Sequence, residues 1–133
     1  MVISTGCLKL VIDKRSLEPP IAKYSYDILP KLAQNYYISL FLSYRDPDIN
    51  DWIDTNYNKE NVIFNGATIE SRGDIKGDIF ITTNVIDAEF VLNKGIEVIL
   101  LNPIFKGEVD PRIKVVKDWK ELFIQIAKYE QSI

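Results

Sequence analysis

An aspartate closes the first apolar run of this chain, where Leu8 to Ile12 is followed by Asp13. If that run is a strand of a parallel sheet, Asp13 faces the crevice at the carboxyl end, where open α/β sheets bind ligands. A carboxylate placed there can act as a nucleophile and form an acyl or acyl-phosphate intermediate, and it serves equally well as a turn or helix-cap residue. Polar residues close further runs: Tyr36 to Leu42 ends in Ser43, Ile79 to Ile81 leads into Thr82-Thr83-Asn84, and Ile96 to Leu101 ends in Asn102-Pro103. Thr and Asn are also ordinary N-cap residues, so capping of a following helix is a second use for the Thr-Thr-Asn segment.

Composition removes several other chemistries. The chain has no histidine and one cysteine, Cys7, which excludes a Cys/His zinc site, a Ser/His or Cys/His nucleophile pair and a disulfide framework. Cys7 reads as a small buried hydrophobe. Asp46-Pro47-Asp48-Ile49-Asn50 begins like a calcium loop, but Asp51 stands where the turn glycine belongs and Tyr57 where the closing glutamate belongs, so it reads as a turn and helix start. Gly73 and Gly77 flank a loop and form no phosphate-cradling pattern. The net charge of −3 and the scattered basic residues argue against nucleic acid as a partner. The opening Met1-Val-Ile-Ser-Thr-Gly has no basic region leading into a long apolar segment, and no apolar run approaches the roughly 20 residues of a membrane helix. A cytoplasmic protein without a membrane partner is therefore expected, and the abundance of Ile, Lys, Tyr and Glu points to a thermophile source.

The elements that must position Asp13 follow from periodicity. Short apolar runs alternate with amphipathic stretches, the signature of βαβ units on a mainly parallel sheet. Strands are expected at Leu8–Ile12, Tyr36–Leu42, Val62–Phe64, Ile79–Ile81, Ile96–Leu101 and Ile113–Val116, and near-continuous apolar strands imply cover on both faces. Val85, Ala88, Val91 and Leu92 make one helix face with Gly95 as its stop, and Trp119, Leu122, Phe123, Ile126 and Ala127 make another, with Asp118 as N-cap and Glu121 three residues on. Pro30 should break a continuous helix over 21–35, so a loop or short helix is expected before it and a helix from Pro30 onward. Surface loops are expected at 65–76 and 103–112. At 133 residues with 47% hydrophobic content, residues 1–133 are expected to form one domain that buries about two-thirds of its unfolded surface.

The order of these strand-end residues resembles the haloacid dehalogenase (HAD-like) superfamily over nearly the whole chain. Asp13-Lys14-Arg15-Ser16 is similar to the first motif, whose leading Asp is the nucleophile. Leu40-Phe41-Leu42-Ser43 looks like the second, in which a hydroxyl binds the transferring group. Lys76 is placed like the lysine that balances nucleophile and substrate charge, and Thr82 through Asp87 occupies the place of the acidic fourth motif. The tail from Leu101-Asn102-Pro103 to Lys117-Asp118-Trp119 looks like small nucleotidase-type members. The resemblance implies a three-layer α/β/α sandwich, Rossmannoid, without a cap domain.

Departures from the family pattern shape the functional expectation. Arg15 stands where phosphatases of the family carry a second, acid/base Asp, and Thr82 and Thr83 stand where they carry an acidic pair. Magnesium prefers octahedral oxygen ligands including one or two carboxylates; with Asp13 and Asp87 alone remaining and Arg15 adding a positive charge, no cofactor is expected and magnesium is disfavoured. Metal-free dehalogenases of the superfamily carry a Ser-Ser-Asn segment with Asp three residues after the Asn, and Thr82-Thr83-Asn84-Val85-Ile86-Asp87 is similar. One expectation is thus a metal-free hydrolase of phosphatase or dehalogenase type acting on a small molecule. Asp13, Ser43, Lys76, Asn84 and Asp87 would be its catalytic residues, and Arg15, Ser16, Thr82 and Thr83 its substrate-binding residues. The alternative is a catalytically inactive relative that binds a small anion or a partner protein, with a second copy of the chain as one way to cover an open crevice. A flavodoxin-like or receiver-like domain would use a similar sheet but should show a carboxylate cluster beside Asp13.

Overall fold

The computed structural model describes residues 8–43, 46–58, 64, 66–68 and 74–132. In chain order the elements are β1 (Leu8–Asp13), α1 (Ser25–Ala33), β2 (Tyr36–Phe41), α2 (Ile49–Asn56), β3 (Gly66–Thr68), β4 (Ile79–Thr82), α3 (Val85–Leu92), β5 (Glu97–Leu101), β6 (Lys114–Val116) and α4 (Trp119–Ser132), with a 3-10 turn at Lys14–Leu17 after β1. The six strands form one parallel sheet in the order β3-β2-β1-β4-β5-β6. Strand β1 lies at its centre, and the chain leaves β1 toward β2 on one side and reaches β4 on the other. That reversal makes the carboxyl ends of β1 and β4 the topological switch point, the place where open α/β sheets bind ligands. A flavodoxin-like sheet, ordered 2-1-3-4-5, would put β3 beside β1; here β4 occupies that place.

Alternation along the strands divides the core in two. Leu10, Ile12, Ile38, Leu40, Ile79 and Ile81 point to one face and pack with Ile28, Leu29 and Leu32 of α1, Ile49 and Ile53 of α2, and Trp119, Leu122 and Ile126 of α4. Val11, Phe80, Val98 and Leu100 point to the other and pack with Ala88, Val91 and Leu92 of α3. No helix among the described residues is long and apolar enough to cross a membrane.

Two expectations need correction. Helix α1 begins at Ser25 and runs through Pro30 instead of starting there. An interior proline costs about 3 kcal/mol, whereas Ile28, Leu29 and Leu32, all buried, each contribute about 1.5–3 kcal/mol, so packing outweighs the local penalty. The start is also held from outside the helix: the Ser25 and Tyr57 hydroxyls lie 2.9 Å apart and Tyr26 stacks on Tyr57 at 4.8 Å. The third strand is Gly66–Thr68, aligned with Ser39 to Phe41 of β2, later than the expected 62–64. Phe64 instead packs edge-on against Tyr57 with ring centres 5.6 Å apart. Val62 and Ile63, like Cys7, lie outside the described residues. Asp46 does form a turn, its carboxylate accepting the Asp48 N–H at 3.0 Å before α2. Asp118 does cap α4, accepting the Glu121 N–H at 2.9 Å.

Candidate functional site

The β1–β4 register aligns Ile12 with Ile81, so the next residues, Asp13 and Thr82, emerge side by side at the switch point. Asp13 is only 1% exposed, and Thr82 is fully buried. The Thr82 hydroxyl donates to Asp13 Oδ2 at 2.7 Å and accepts the Asn84 N–H at 3.1 Å. After Asp13 the chain tightens into its 3-10 turn, capped by the Asp13 side chain itself, whose Oδ1 accepts the Arg15 N–H at 3.0 Å. That turn folds the Arg15 side chain back over the carboxylate. Its Nε donates to Oδ1 at 3.1 Å and to Oδ2 at 3.0 Å, and its Nη2 donates to Oδ2 at 2.6 Å.

Arg15 also bridges to a second carboxylate, its Nη2 donating to Asp87 Oδ2. Asp87 sits in the first turn of α3, where its N–H donates to the Asn84 side chain at 2.9 Å, so Asn84 is the N-cap of that helix. The cap thus fixes the distance between the two aspartates, and the guanidinium fills the space between them. Burial works against the Arg15 charge, but hydrogen bonds and attraction from Asp13 and then Asp87 outweigh it and hold the group protonated beyond its ordinary range. One cation and two carboxylates leave this cluster with a formal charge of −1.

A carboxylate has about four lone-pair positions. Those of Asp13 meet the Arg15 main-chain N–H, its Nε–H, its Nη2–H and the Thr82 hydroxyl, and charge-assisted bonds of this kind are the strong ones. To attack a substrate, Asp13 must first release some of them.

The remaining residues are distributed unevenly. Ser16 is fully buried, its hydroxyl donating to the Asp13 carbonyl at 2.6 Å, and the Trp119 indole N–H donates to the Ser16 carbonyl at 3.1 Å. The turn after Asp13 is therefore pinned by α4, a link the sequence signals only in that a buried Trp must find a partner for its N–H. Lys14 turns away, over the Trp52 ring at 4.8 Å and toward Glu18 at 3.3 Å. Ser43 is exposed just beyond β2, at the crevice end, and Thr83 and Asn84 are half-buried there. The Asn102 side chain reaches the Thr83 carbonyl at 3.5 Å, tying the loop after β5 to the same rim.

Lys76 is not brought to Asp13. The neighbouring Asp78 exchanges hydrogen bonds of 2.7 and 2.9 Å with the Lys9 backbone near the start of β1. Lys9 is four residues from Asp13, about 13 Å at 3.3 Å per residue, beyond the reach of a lysine stem. Because all the strands are parallel, a residue preceding β4 lies at the end of the sheet opposite the crevice.

Among the described residues no group of three or more His, Cys, Asp or Glu side chains is arranged to hold a metal ion. No protein-family model matches the chain, and no curated protein matches it.

Proposed function

We propose that this chain is a three-layer α/β/α domain of HAD-like type whose crevice is no longer a catalytic centre, and that it works as a non-catalytic binding module. One observation carries the reading: the aspartate in the nucleophile position is buried at 1% exposure with its acceptor positions taken by Arg15 and Thr82. In this reading Arg15 supplies an internal cation. It holds Asp13 and Asp87 together from the position where a bound cation would have to sit, and a guanidinium there repels magnesium, so the donor set does not fit that ion.

The buried Ser16 and the distant Lys76 support the same view, since neither is available for substrate or charge balance at Asp13. Binding falls to the crevice rim, where Ser43, Thr83, Asn84 and the 30%-exposed Arg15 side chain meet solvent. The ligand that suits hydroxyl, amide and guanidinium donors beside a cluster of formal charge −1 is a small neutral molecule rich in acceptors, held without covalent chemistry. A second reading, metal-free hydrolysis, draws on the convergence of Asp13, Thr82 and Asp87, and it requires Arg15 to swing clear. Turnover screens with phosphate esters and 2-haloacids, with and without magnesium, separate the two when wild type is compared with Asp13→Asn. The binding reading expects equal background rates for both proteins, and turnover lost with Asp13→Asn would overturn it.

A further inference from the structure

Helix α4 carries an apolar stripe that the described fold leaves uncovered. Trp119, Leu122 and Ile126 face the core, whereas Lys120, Phe123, Ile124, Ala127 and Glu130 are exposed, Phe123 at 37% and Ile124 at 56%. At 3.6 residues per turn these five residues share one side of the helix, spanning about 15 Å from Lys120 to Glu130. Alongside lies a hollow of about 550 Å³ between α1 and α4, walled by Ile28, Lys31 and Phe123.

The stripe is complementary to itself. Laid antiparallel on a second copy about a two-fold axis near Gln125, it sets Phe123 of each copy opposite Ala127 of the other and Lys120 opposite Glu130. A large side chain then meets a small one and each charge meets its opposite. One oxygen of Glu130 accepts the Tyr36 hydroxyl, leaving the second for a partner. A parallel pairing would instead put Phe123 on Phe123 and Lys120 on Lys120.

We propose that the chain forms a two-fold dimer through α4, with a second copy as the occupant of this face. Phe123 is the anchor, and the Lys120–Glu130 pairs set the register while contributing little affinity. The inference is independent of the crevice reading. Sedimentation equilibrium of the full chain over a wide concentration range tests it. The wild type should dimerise, and Phe123→Glu should raise the dissociation constant by about 30-fold or more. Lys120→Glu and Glu130→Lys should each weaken the dimer, and their combination should restore it to within a few-fold of wild type. Circular dichroism establishes that each variant is folded. Phe123 lies outside the core, whereas Lys120 also sits over the Tyr24 ring at 4.1 Å and Glu130 accepts the Tyr36 hydroxyl, so dissociation constants are compared only among variants that keep the wild-type spectrum and melting midpoint. A monomer at every concentration, a dimer that none of these changes affects, or a double variant no better than the single ones would overturn the proposal.

Discussion

Asparagine in place of Asp13 keeps the shape of the side chain and removes its charge, and the arrangement at the switch point sets the cost. Removing one partner of a buried ion pair costs about 3–5 kcal/mol because the other charge is left uncompensated. Here the partner, Arg15, is 30% exposed on its side chain and keeps Asp87, which places the charge cost at or below the lower end of that range. The amide adds a second loss, because its –NH2 group must take the place either of Oδ1, facing the Arg15 main-chain N–H and Nε, or of Oδ2, facing the Arg15 Nη2 and the Thr82 hydroxyl, where an acceptor was needed, at about 1 kcal/mol. A total of about 3 kcal/mol is expected. For a chain of 133 residues the unfolding entropy is about 0.28 kcal/mol/K, so the midpoint should fall by about 10 °C. Urea denaturation at neutral pH, followed by far-UV circular dichroism, reads the free energy directly, and a thermal scan checks the midpoint. Catalytic carboxylates commonly hold a site under strain, so their neutralisation leaves stability unchanged or raises it. An Asp13→Asn variant within about 0.5 kcal/mol of wild type, or more stable than it, would refute the view that Asp13 is held as part of the structure.

Three further outcomes follow from the same geometry. Gly77→Ala should destabilise by about 1–3 kcal/mol in urea denaturation, because an added Cβ would lie 2.8 Å from Val11 Cγ2 and 3.3 Å from the Lys9 carbonyl oxygen, neither of which sits at the end of a flexible side chain. Asn84→Ala should lose about 1 kcal/mol with the α3 cap and loosen Asp87, detectable as faster amide exchange in the first turn of α3. Burial pushes the phenols of Tyr36 and Tyr57 above the ordinary tyrosine range, reinforced at Tyr36 by its bond to Glu130. Both stay protonated when folded, so their contribution is complete below about pH 10 and falls as pH rises, because the unfolded chain then releases protons the folded one retains. Each tyrosine should steepen the loss by up to about 1.4 kcal/mol per pH unit, and absorbance of ionised phenol should show Tyr36 and Tyr57 titrating above the ordinary tyrosine range, with Tyr129 shifted in the same direction.

Much of this architecture was legible in the sequence because period and burial agree in it. Strands β4 and β5 are apolar runs buried on both faces apart from the half-buried Glu97 at the start of β5, β1 is so from Leu10 onward, and β2 buries Tyr36, Ile38 and Leu40 on one face while Tyr37 on the other is exposed; Asn84, Asp118 and Gly95 mark helix boundaries by local chemistry that needs no tertiary context. The start of α1 was not legible: Pro30 argues locally for a break, and it is the core packing of Ile28, Leu29 and Leu32, together with contacts from Tyr57 far along the chain, that makes the longer helix worthwhile. At the site, the convergence of Asp13, Thr82 and Asp87 followed from strand ends meeting at the switch point. The direction of Arg15 did not, because a side chain at that position can reach toward solvent or fold back, and the 3-10 turn decides between them. Lys76 could be placed on the sequence but not on the sheet, since its distance from Asp13 depends on the β1–β4 register. Trp119 read as a core residue, and its hold on the Ser16 carbonyl appears only once α4 is packed against the turn.

The central proposal is that Asp13 serves as a structural partner of Arg15 and not as a nucleophile. Turnover of a panel of phosphate esters, acyl phosphates and 2-haloacids, measured for wild type, Asp13→Asn and Arg15→Asp in the presence and absence of magnesium, tests it most directly. Wild type and Asp13→Asn should be indistinguishable from background under every condition. A wild-type rate that Asp13→Asn abolishes would contradict the account.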